Sequence, residues 1–239
     1  MVMIGMETAT TEHTLKTEHA PAEGLILPYE KVGEYYVEEL GDIPAKPVYG
    51  VIKRAFDIVA SLAALLLLFI PMIIIAVIVC IDSPGPAFYV QDRLGLNGRH
   101  INIIKFRTMY VDAECSGAQW SMGDDDPRIT RFGRILRKTR LDEVPQFWLT
   151  LTGEMSLVGP RPEREVFYEE FETYVHGFRQ RLCVKPGITG LAQVMGGYDL
   201  KPEEKIVYDV EYIKNRSIGL DVKIFFLTFN VVFTHRGAR

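Results

Sequence analysis

The chain has 239 residues, 48% of them hydrophobic, and a formal net charge of −4. This composition excludes a largely disordered chain, and the length allows one substantial core with a small appendage. The first fifty residues hold three Lys/Arg and nine Asp/Glu, so they carry −6 and the remainder carries +2. The cysteines Cys80, Cys115 and Cys183 have neither disulfide-framework nor metal-ligand spacing, which is typical of a reducing compartment.

Residues 1–50 are predicted to form an acidic, partly disordered N-terminal extension. Residues 1–28 are polar and lack the basic and apolar regions of a secretory signal. In residues 29–40, Val32, Tyr35, Tyr36 and Leu40 have the spacing of one helix face, which predicts a short amphipathic helix. Such a helix could pack on the main domain or lie on a membrane, and its acidic face argues against the membrane.

An uncharged apolar run covers residues 58–81. Twenty-four residues would extend about 36 Å as a helix, enough for a hydrocarbon core of about 30 Å. Pro71 divides the run into two short pieces, although a proline can also merely kink a spanning helix. Lys53 and Arg54 precede the run and further basic residues follow it, and positive flanks belong on the cytoplasmic side. We therefore predict a re-entrant membrane helix at residues 51–82 that is broken at Pro71, in preference to a kinked helix that spans the membrane.

The segment after the apolar run predicts a small β-hairpin. Residues 87–91 and 101–107 have strand character and flank a glycine-rich turn at 95–98. Alternation places Lys105 and Arg107 on the same face as Ile101 and Ile103. The two cations could extend towards a lipid surface or face a phosphate, and the spacing slightly favours the lipid surface.

Two adjacent carboxylates, Asp142 and Glu143, follow a basic amphipathic helix predicted over 128–139. Pro145 is tolerated in a first helical turn, so we expect a helix to begin just after the pair. The helix dipole and nearby arginines would keep Asp142 ionised and attract phosphate, which makes it a candidate nucleophile or metal ligand. The alternative is a solvated capping carboxylate beside an ion-paired neighbour. The three aspartates at 124–126 are interpreted as a solvated loop or cap.

Two later segments could bind anions. Arg161 lies between two prolines, so its planar guanidinium would lose little entropy on binding a phosphate. Thr189 and Gln193 belong to a glycine-containing loop that either presents backbone N–H groups to an anion or is an ordinary turn. Helices are predicted over residues 163–178, 203–214 and 220–233.

From about Val51 to the C-terminus, the sequence resembles the bacterial sugar transferase family of polyprenyl-phosphate phosphoglycosyl transferases, in its small monotopic form. Six segments in the family's order carry the resemblance: Lys-Arg-Ala-Phe-Asp at 53–57, Lys-Phe-Arg-Thr-Met at 105–109, Leu-Asp-Glu at 141–143, Gly-Glu-Met-Ser-Leu-Val-Gly-Pro-Arg-Pro at 153–162, Pro-Gly-Ile-Thr-Gly at 186–190 and Tyr-Asp-Val-Glu-Tyr-Ile-Lys-Asn at 208–215. The four-helix membrane bundle of larger relatives has no counterpart before this region, which implies the minimal catalytic unit.

The resemblance implies an α/β, mostly helical monotopic protein of the bacterial inner membrane, with amphipathic surface helices and a cytoplasmic catalytic domain at 83–239. It implies transfer of a sugar phosphate from a UDP-sugar to undecaprenyl phosphate, with release of UMP, and Mg²⁺ as cofactor. In family terms Asp142 is the nucleophile that forms an acyl-phosphate, and Glu143 binds the metal. The candidate substrate-binding residues are Lys105, Arg107, Arg137, Arg161, Thr189, Gln193, Asp209 and Tyr212. Phospholipids are implied as further partners, nucleic acid is not, and a homodimer is left open.

Two departures from the family pattern matter. Ile70 replaces the serine that often precedes the helix-breaking proline, so one polar partner for the freed carbonyls is absent. The segment 195–198 reads Met-Gly-Gly-Tyr and lacks an arginine that many members have there, which leaves the sugar undecided. Two other functions stay open: a membrane-bound hydrolase that uses an aspartyl-phosphate, and a non-catalytic membrane scaffold.

Overall fold

One helix contains the whole apolar run. The computed structural model describes residues 33–113, 115, 126–196 and 200–234, and α1 extends from Pro47 to Asp82 within them. The helix continues through Pro71, so the predicted break at this residue is wrong. A proline removes one backbone hydrogen bond and bends a helix, but it need not end one.

The apolar part of α1 is largely uncovered by the rest of the protein. Among the described residues, α1 is the one helix long and apolar enough to cross a membrane by length and composition, and only 6% of its most apolar stretch is buried. Leu67 and Ile81 are 79% and 78% exposed. A core helix of a soluble protein would be covered on most sides, so this exposure favours a membrane-associated helix.

The amino-terminal part of α1 is attached to the body by polar contacts. The carboxylate of Asp57, which is buried, accepts hydrogen bonds from the Ser156 hydroxyl (3.1 Å) and the Leu157 amide (3.0 Å). Arg54 donates to the carbonyls of Thr150 (2.6 Å) and Leu151 (2.7 Å), at the end of a short helix. These bonds fix the base of the apolar helix against the segment that follows the carboxylate pair.

The predicted β-hairpin is confirmed. Strand β2 (Phe88–Leu94) pairs antiparallel with β3 (His100–Phe106), and a 3₁₀ turn (Leu96–Gly98) joins them. Asn97 takes the left-handed conformation that this tight turn needs, at φ 56°. Ile101 and Ile103 of β3 are both buried, which agrees with the shared face that the alternation gives them.

The carboxylate pair lies within a short helical turn and not before a helix. Helix α2 (Arg131–Thr139) is followed by a 3₁₀ helix (Leu141–Gln146) that contains both carboxylates, and α3 (Phe147–Thr152) comes next. The α-helix that we expected to begin just after the pair, at residue 144, begins instead at Phe147.

The remaining chain builds the core around short strands. Strand β4 (Ser156–Val158) pairs in parallel with β6 (Gly187–Thr189), and β1 (Tyr35–Tyr36) pairs in parallel with β5 (Val175–His176). The helices are α4 (Glu165–Glu172), a 3₁₀ helix (Phe178–Cys183), α5 (Leu191–Gly196), α6 (Pro202–Asn215) and α7 (Ile218–Thr234). The last two confirm the helices predicted at 203–214 and 220–233.

One helix prediction near the N-terminus is wrong and one in the middle of the chain extends too far, and both errors have the same cause. Tyr35 and Tyr36 pair with Val175 and His176, and Tyr36 stacks on the His176 ring with centroids 4.7 Å apart. Aromatic and β-branched residues pack well on a pleated surface, so this pairing replaces helix at both places. The predicted helix at 29–40 is absent over its described part, and the helix predicted to residue 178 ends at Glu172. The expected disorder of residues 1–28 lies outside the described residues.

Candidate active site

The turn that carries the carboxylates is held by its neighbours. The Thr130 hydroxyl caps α2 by accepting a hydrogen bond from the Gly133 amide (3.0 Å), and Arg140 ends α2 in the left-handed region at φ 57°. Gly133 contacts the backbone of Thr108 so closely that an added Cβ would lie 2.1 Å from its carbonyl oxygen. This close approach brings α2 and the carboxylate turn against the end of β3.

A cavity of about 330 Å³ opens beside the carboxylate pair. Nine of its lining residues are Arg or Lys, and three are acidic: Asp142, Glu143 and Glu163. Such an excess of positive charge around two buried carboxylates suits a ligand with several negative charges, and phosphates are the usual partners of arginine clusters.

Glu143 is bound on both of its oxygens. Lys105 Nζ lies 3.2 Å from Oε1, and Arg161 reaches both oxygens, with Nη1 at 3.3 Å from Oε2 and Nη2 against Oε1. Burial alone would raise the pKa of Glu143, but Arg161 and Lys105 outweigh it and hold the pKa well below its usual range. Glu143 is therefore a fixed anion at neutral pH.

Asp142 differs from Glu143 in both its contacts and the direction of its pKa shift. It is 8% exposed, and its side chain forms no hydrogen bond with the described residues. Burial, and then the charge of Glu143, raise the pKa of Asp142 to about 6, against the partial opposition of Lys105, Arg137 and Arg161. A pKa of about 6 agrees with the expectation that Asp142 is ionised at neutral pH. The pKa is nevertheless raised above its usual value, because burial outweighs the arginines.

The cations next to Asp142 are oriented by specific contacts. Arg137 donates from Nε to the Thr108 hydroxyl (2.9 Å), and Arg161 is held by Glu143. Burial, with Arg161 and Arg93 nearby, lowers the pKa of Lys105 to about 8, although Glu143 opposes the effect. Lys105 thus faces the cavity and not the lipid surface, which decides between the two orientations left open by the strand pattern.

Four of the eight predicted substrate-binding residues line the cavity: Lys105, Arg107, Arg137 and Arg161. Arg107 is largely committed elsewhere, since its guanidinium donates to the Ser83 carbonyl (2.6 Å), the Ser83 hydroxyl (3.0 Å) and the Pro84 carbonyl (2.9 Å). It therefore closes the turn after α1 at the edge of the cavity.

The other four do not line the cavity. The Thr189 hydroxyl pairs with that of Thr228 (2.8 Å), and Gln193 donates to the Ile188 carbonyl (2.9 Å). Asp209 forms a buried ion pair with Arg181 (2.7 Å). Tyr212 donates to Asp221 (2.9 Å), which also binds Lys53 from α1 (2.9 Å). These residues support the body around the site, and the structure does not bring them to the cavity.

Sequence reasoning missed several lining residues, notably Arg93, Arg128, Glu163 and Lys205. Lys205 Nζ lies 2.9 Å from Glu163 Oε1, across a separation of 42 residues that no local pattern could indicate. Glu163 directly follows the Pro-Arg-Pro segment, and this adjacency to Arg161 was an available signal. Arg128 is held by the fully buried Asp126, at 2.8 and 2.6 Å.

The donor set for a divalent metal is small. The described residues contain no group of three or more His, Cys, Asp or Glu side chains that could hold a metal ion. Asp142 and Glu143 are two adjacent carboxylates, and Mg²⁺ typically binds through one or two carboxylates while substrate phosphates and water complete its shell. The pair fits an ion bound in that way and does not fit an all-protein site.

A long exposed apolar helix is typical of a membrane-associated protein, and a cavity lined by nine cations and two buried carboxylates suits a phosphorylated ligand. The chain belongs to the bacterial sugar transferase family, whose sequence profile matches residues 48–235. This match covers the apolar helix, the carboxylate pair and the Pro-Arg-Pro segment together.

Similar proteins carry related names. The chain is 42% identical over 212 residues to the UDP-N-acetylgalactosamine-undecaprenyl-phosphate N-acetylgalactosaminephosphotransferase of Aeromonas hydrophila, covering 87% of this chain and 50% of the relative. It is 39% identical over 215 residues to the UDP-glucose:undecaprenyl-phosphate glucose-1-phosphate transferase of Escherichia coli (strain K12), covering 84% and 46%. It is 36% identical over 232 residues to the UDP-galactose-lipid carrier transferase of Erwinia amylovora, covering 91% and 48%. The chain thus spans about half the length of these curated relatives.

Proposed function

We propose that this protein transfers a sugar-1-phosphate from a UDP-sugar to undecaprenyl phosphate and releases UMP, as the first membrane step of exopolysaccharide or related glycan synthesis. The observation that carries the proposal is the Asp142–Glu143 pair, buried on a cavity with nine Arg or Lys residues. Membership of the family and the names of the relatives support it. Those relatives are named for three different sugars, and the proposal therefore concerns the sugar-phosphate transfer and not one particular sugar.

Asp142 is the nucleophile of the proposed reaction. A carboxyl group with a pKa of about 6 is about nine tenths ionised at pH 7. Attack by its oxygen on the β-phosphorus forms an acyl-phosphate bond and breaks the bridging P–O bond, and UMP leaves with the electron pair. A phosphate oxygen of undecaprenyl phosphate then attacks the same phosphorus, and the Asp142 carboxylate leaves unchanged.

The surrounding cations stabilise the charge that develops on the phosphorus oxygens. Most of the catalysis of phosphoryl transfer comes from positioning and charge stabilisation, and Lys105, Arg137 and Arg161 lie close enough to influence the pKa of Asp142. Arg161 is oriented by Glu143, and Arg137 by Thr108. Glu143 thus orders the site and does not attack.

Mg²⁺ is the proposed cofactor, with Glu143 as its protein ligand. Bound there with the donor phosphates, the ion would neutralise phosphate charge and favour departure of UMP. Both oxygens of Glu143 already accept from Arg161 or Lys105. We therefore expect these two cations to move part of their contact onto the donor phosphates when the ion binds.

We further propose a re-entrant arrangement of α1 that places the catalytic body, residues 83–239, on the cytoplasmic face of the bacterial inner membrane. Basic residues flank both ends of the apolar run, and both ends are therefore expected on one side. The exposed side chains of α1, such as Leu67, would contact phospholipid chains. Because the helix is continuous through Pro71, the hairpin would arise from a bend and not from a gap.

The nucleophile is tested by trapping the intermediate. Enzyme given a UDP-sugar labelled in the β-phosphate and the sugar, without lipid, should retain label on the protein and release about one UMP per competent site, the burst of a covalent intermediate. Undecaprenyl phosphate should then discharge the label onto lipid. Discharge onto water at the same rate would instead indicate a hydrolase.

Two neighbouring substitutions form a matched pair for this experiment. Asp142→Asn keeps the size of the side chain and should abolish both labelling and turnover. Glu143→Gln should slow labelling without moving its point of attachment, because Arg161 and the metal lose their partner. Normal labelling of Asp142→Asn would show that the nucleophile lies elsewhere. Full function of that variant would support the alternative of a non-catalytic membrane scaffold.

A further inference from the structure

The Pro-Arg-Pro segment is held by its carbonyl groups. Proline has no N–H, so residues 160 and 162 cannot donate backbone hydrogen bonds. Instead, four consecutive carbonyls at residues 160–163 each accept one bond from another part of the chain. The donors, in the order of the carbonyls, are the Gly187 amide (2.9 Å), Arg181 Nη2 (2.9 Å), Arg93 Nη1 (2.5 Å) and the Leu94 amide (3.0 Å).

The donor to Arg161 itself is a buried arginine. Arg181 is 2% exposed, and the same Nη2 that bonds the Arg161 carbonyl lies 2.7 Å from Asp209 Oδ2. Its Nε and Nη1 are buried and make no hydrogen bond to the described residues, and the guanidinium lies 4.9 Å from the centre of the Phe178 ring. The charged guanidinium of Arg181 is therefore buried with one carboxylate and one carbonyl as its polar partners.

The donor to Pro162 is held in a similar way. Arg93 Nη1 lies 3.4 Å from Glu163 Oε2, and Lys205 occupies the other oxygen of Glu163 at 2.9 Å. Glu163 is 6% exposed and Asp209 is 1% exposed. Two buried carboxylates thus hold the two arginines that fix the carbonyls of Arg161 and of the residue after it.

Burying a charge costs free energy of folding. Replacing a buried ion pair with well-packed apolar side chains therefore often leaves the stability of a protein unchanged or raises it. Because two buried nitrogens of Arg181 also lack hydrogen bonds to the described part of the chain, stability alone does not explain this ion pair. What the arrangement does supply is a fixed backbone position for Arg161, whose guanidinium contacts Glu143 in the cavity.

We propose that Asp209 is a positioning residue for the transfer reaction, acting through Arg181 on the backbone of Arg161. The inference rests on the proposed function, and it reassigns Asp209 from a substrate-binding role to one behind the site. Displacing a charged group by about 1 Å can reduce turnover by about a hundredfold, so a loosened Arg161 should be visible in kinetics.

The test is a double-mutant cycle. Asp209→Asn keeps the shape of the side chain, and we expect it to lower single-turnover labelling by UDP-sugar about tenfold or more. In an Arg161→Ala background the same change should lower the rate less than about threefold, because Asp209 acts through the missing guanidinium. Asp221→Asn, which removes a different buried ion pair, should cost the same factor in both backgrounds. An equal factor for Asp209→Asn in both backgrounds, or none in the wild type, overturns the proposal.

A second measurement does not depend on activity. Hydrogen exchange of the Gly187 amide reports on its bond to the Pro160 carbonyl. Asp209→Asn should speed this exchange relative to β3 amides, whereas Asp221→Asn should not. Arg181→Lys, which keeps a cation for Asp209 but loses the planar fork, replaces Asp209→Asn if that variant does not fold. Unchanged Gly187 exchange overturns the positioning role, whereas a wild-type protein that labels with no UDP-sugar overturns only the proposed function.

Discussion

The raised pKa of Asp142 predicts that the wild-type residue destabilises the protein at neutral pH. The folded protein binds this proton more tightly than the unfolded chain does, since the pKa rises from 3.8 to about 6. This difference corresponds to at most about 3 kcal/mol of unfolding free energy. The stabilising contribution of the protonated form is complete below about pH 4 and is lost as the pH rises through about 6.

Asparagine imitates the protonated carboxyl, so Asp142→Asn should be more stable than the wild type at pH 7.5. The gain should be at most about 3 kcal/mol, it should be only slightly smaller at pH 6, and it should fall below about 1 kcal/mol near pH 4. Thermal unfolding of both proteins in the same detergent or lipid disc, at these three pH values, measures the difference. Titrating groups that do not interact with Asp142 cancel because both proteins contain them.

Asp221→Asn is the control with the opposite expectation. Asp221 accepts bonds from Lys53, Tyr49 and Tyr212, so its loss should lower stability at pH 7.5. The reasoning is refuted if Asp142→Asn lowers stability at pH 7.5, or if its effect does not depend on pH. In either case burial does not dominate the environment of Asp142.

The remaining predictions concern activity, packing and topology. The pH profile of kcat/KM should be bell-shaped, rising through about pH 6 as Asp142 ionises and falling above about pH 8 as Lys105 loses its proton; a flat profile from pH 5 to 9 would contradict these roles. EDTA should abolish turnover and Mg²⁺ should restore it, whereas full activity in chelator would remove Glu143 from its metal role. Gly133→Ala should cost about 1–3 kcal/mol of stability, measured by thermal unfolding, because its Cβ would meet the Thr108 carbonyl oxygen at 2.1 Å, and an unchanged melting temperature would contradict that packing. Cysteines introduced at 45–50 and at 95–99 should both react only from the cytoplasmic side, and Pro71→Ala should shift some molecules to a spanning form; periplasmic labelling of the first group would overturn the hairpin.

Features that depend on local composition could be predicted from the amino-acid sequence alone. The uncharged run at 58–81, the hairpin around residues 95–98 and the terminal helices α6 and α7 follow from periodicity and turn chemistry, and each is confirmed as an element. Asp142, Glu143 and Arg161 could be selected because carboxylates among arginines, and an arginine between prolines, are unusual over a few residues. The structure brings all three to one cavity.

Features that depend on contacts between distant segments became visible only in the folded protein. Asp209 and Tyr212 belong to the segment at 208–215 that resembles the family. Asp209 nevertheless binds Arg181, and Tyr212 binds Asp221, so both side chains make their contacts inside the body and do not line the cavity. Lys205 reaches Glu163 across 42 residues, and β1 pairs with β5 across about 140. The pKa of Asp142 also depends on burial, which local sequence does not reveal. Helix and turn preferences act over a few residues, whereas desolvation and ion pairing depend on the distances that folding creates between elements far apart in the chain.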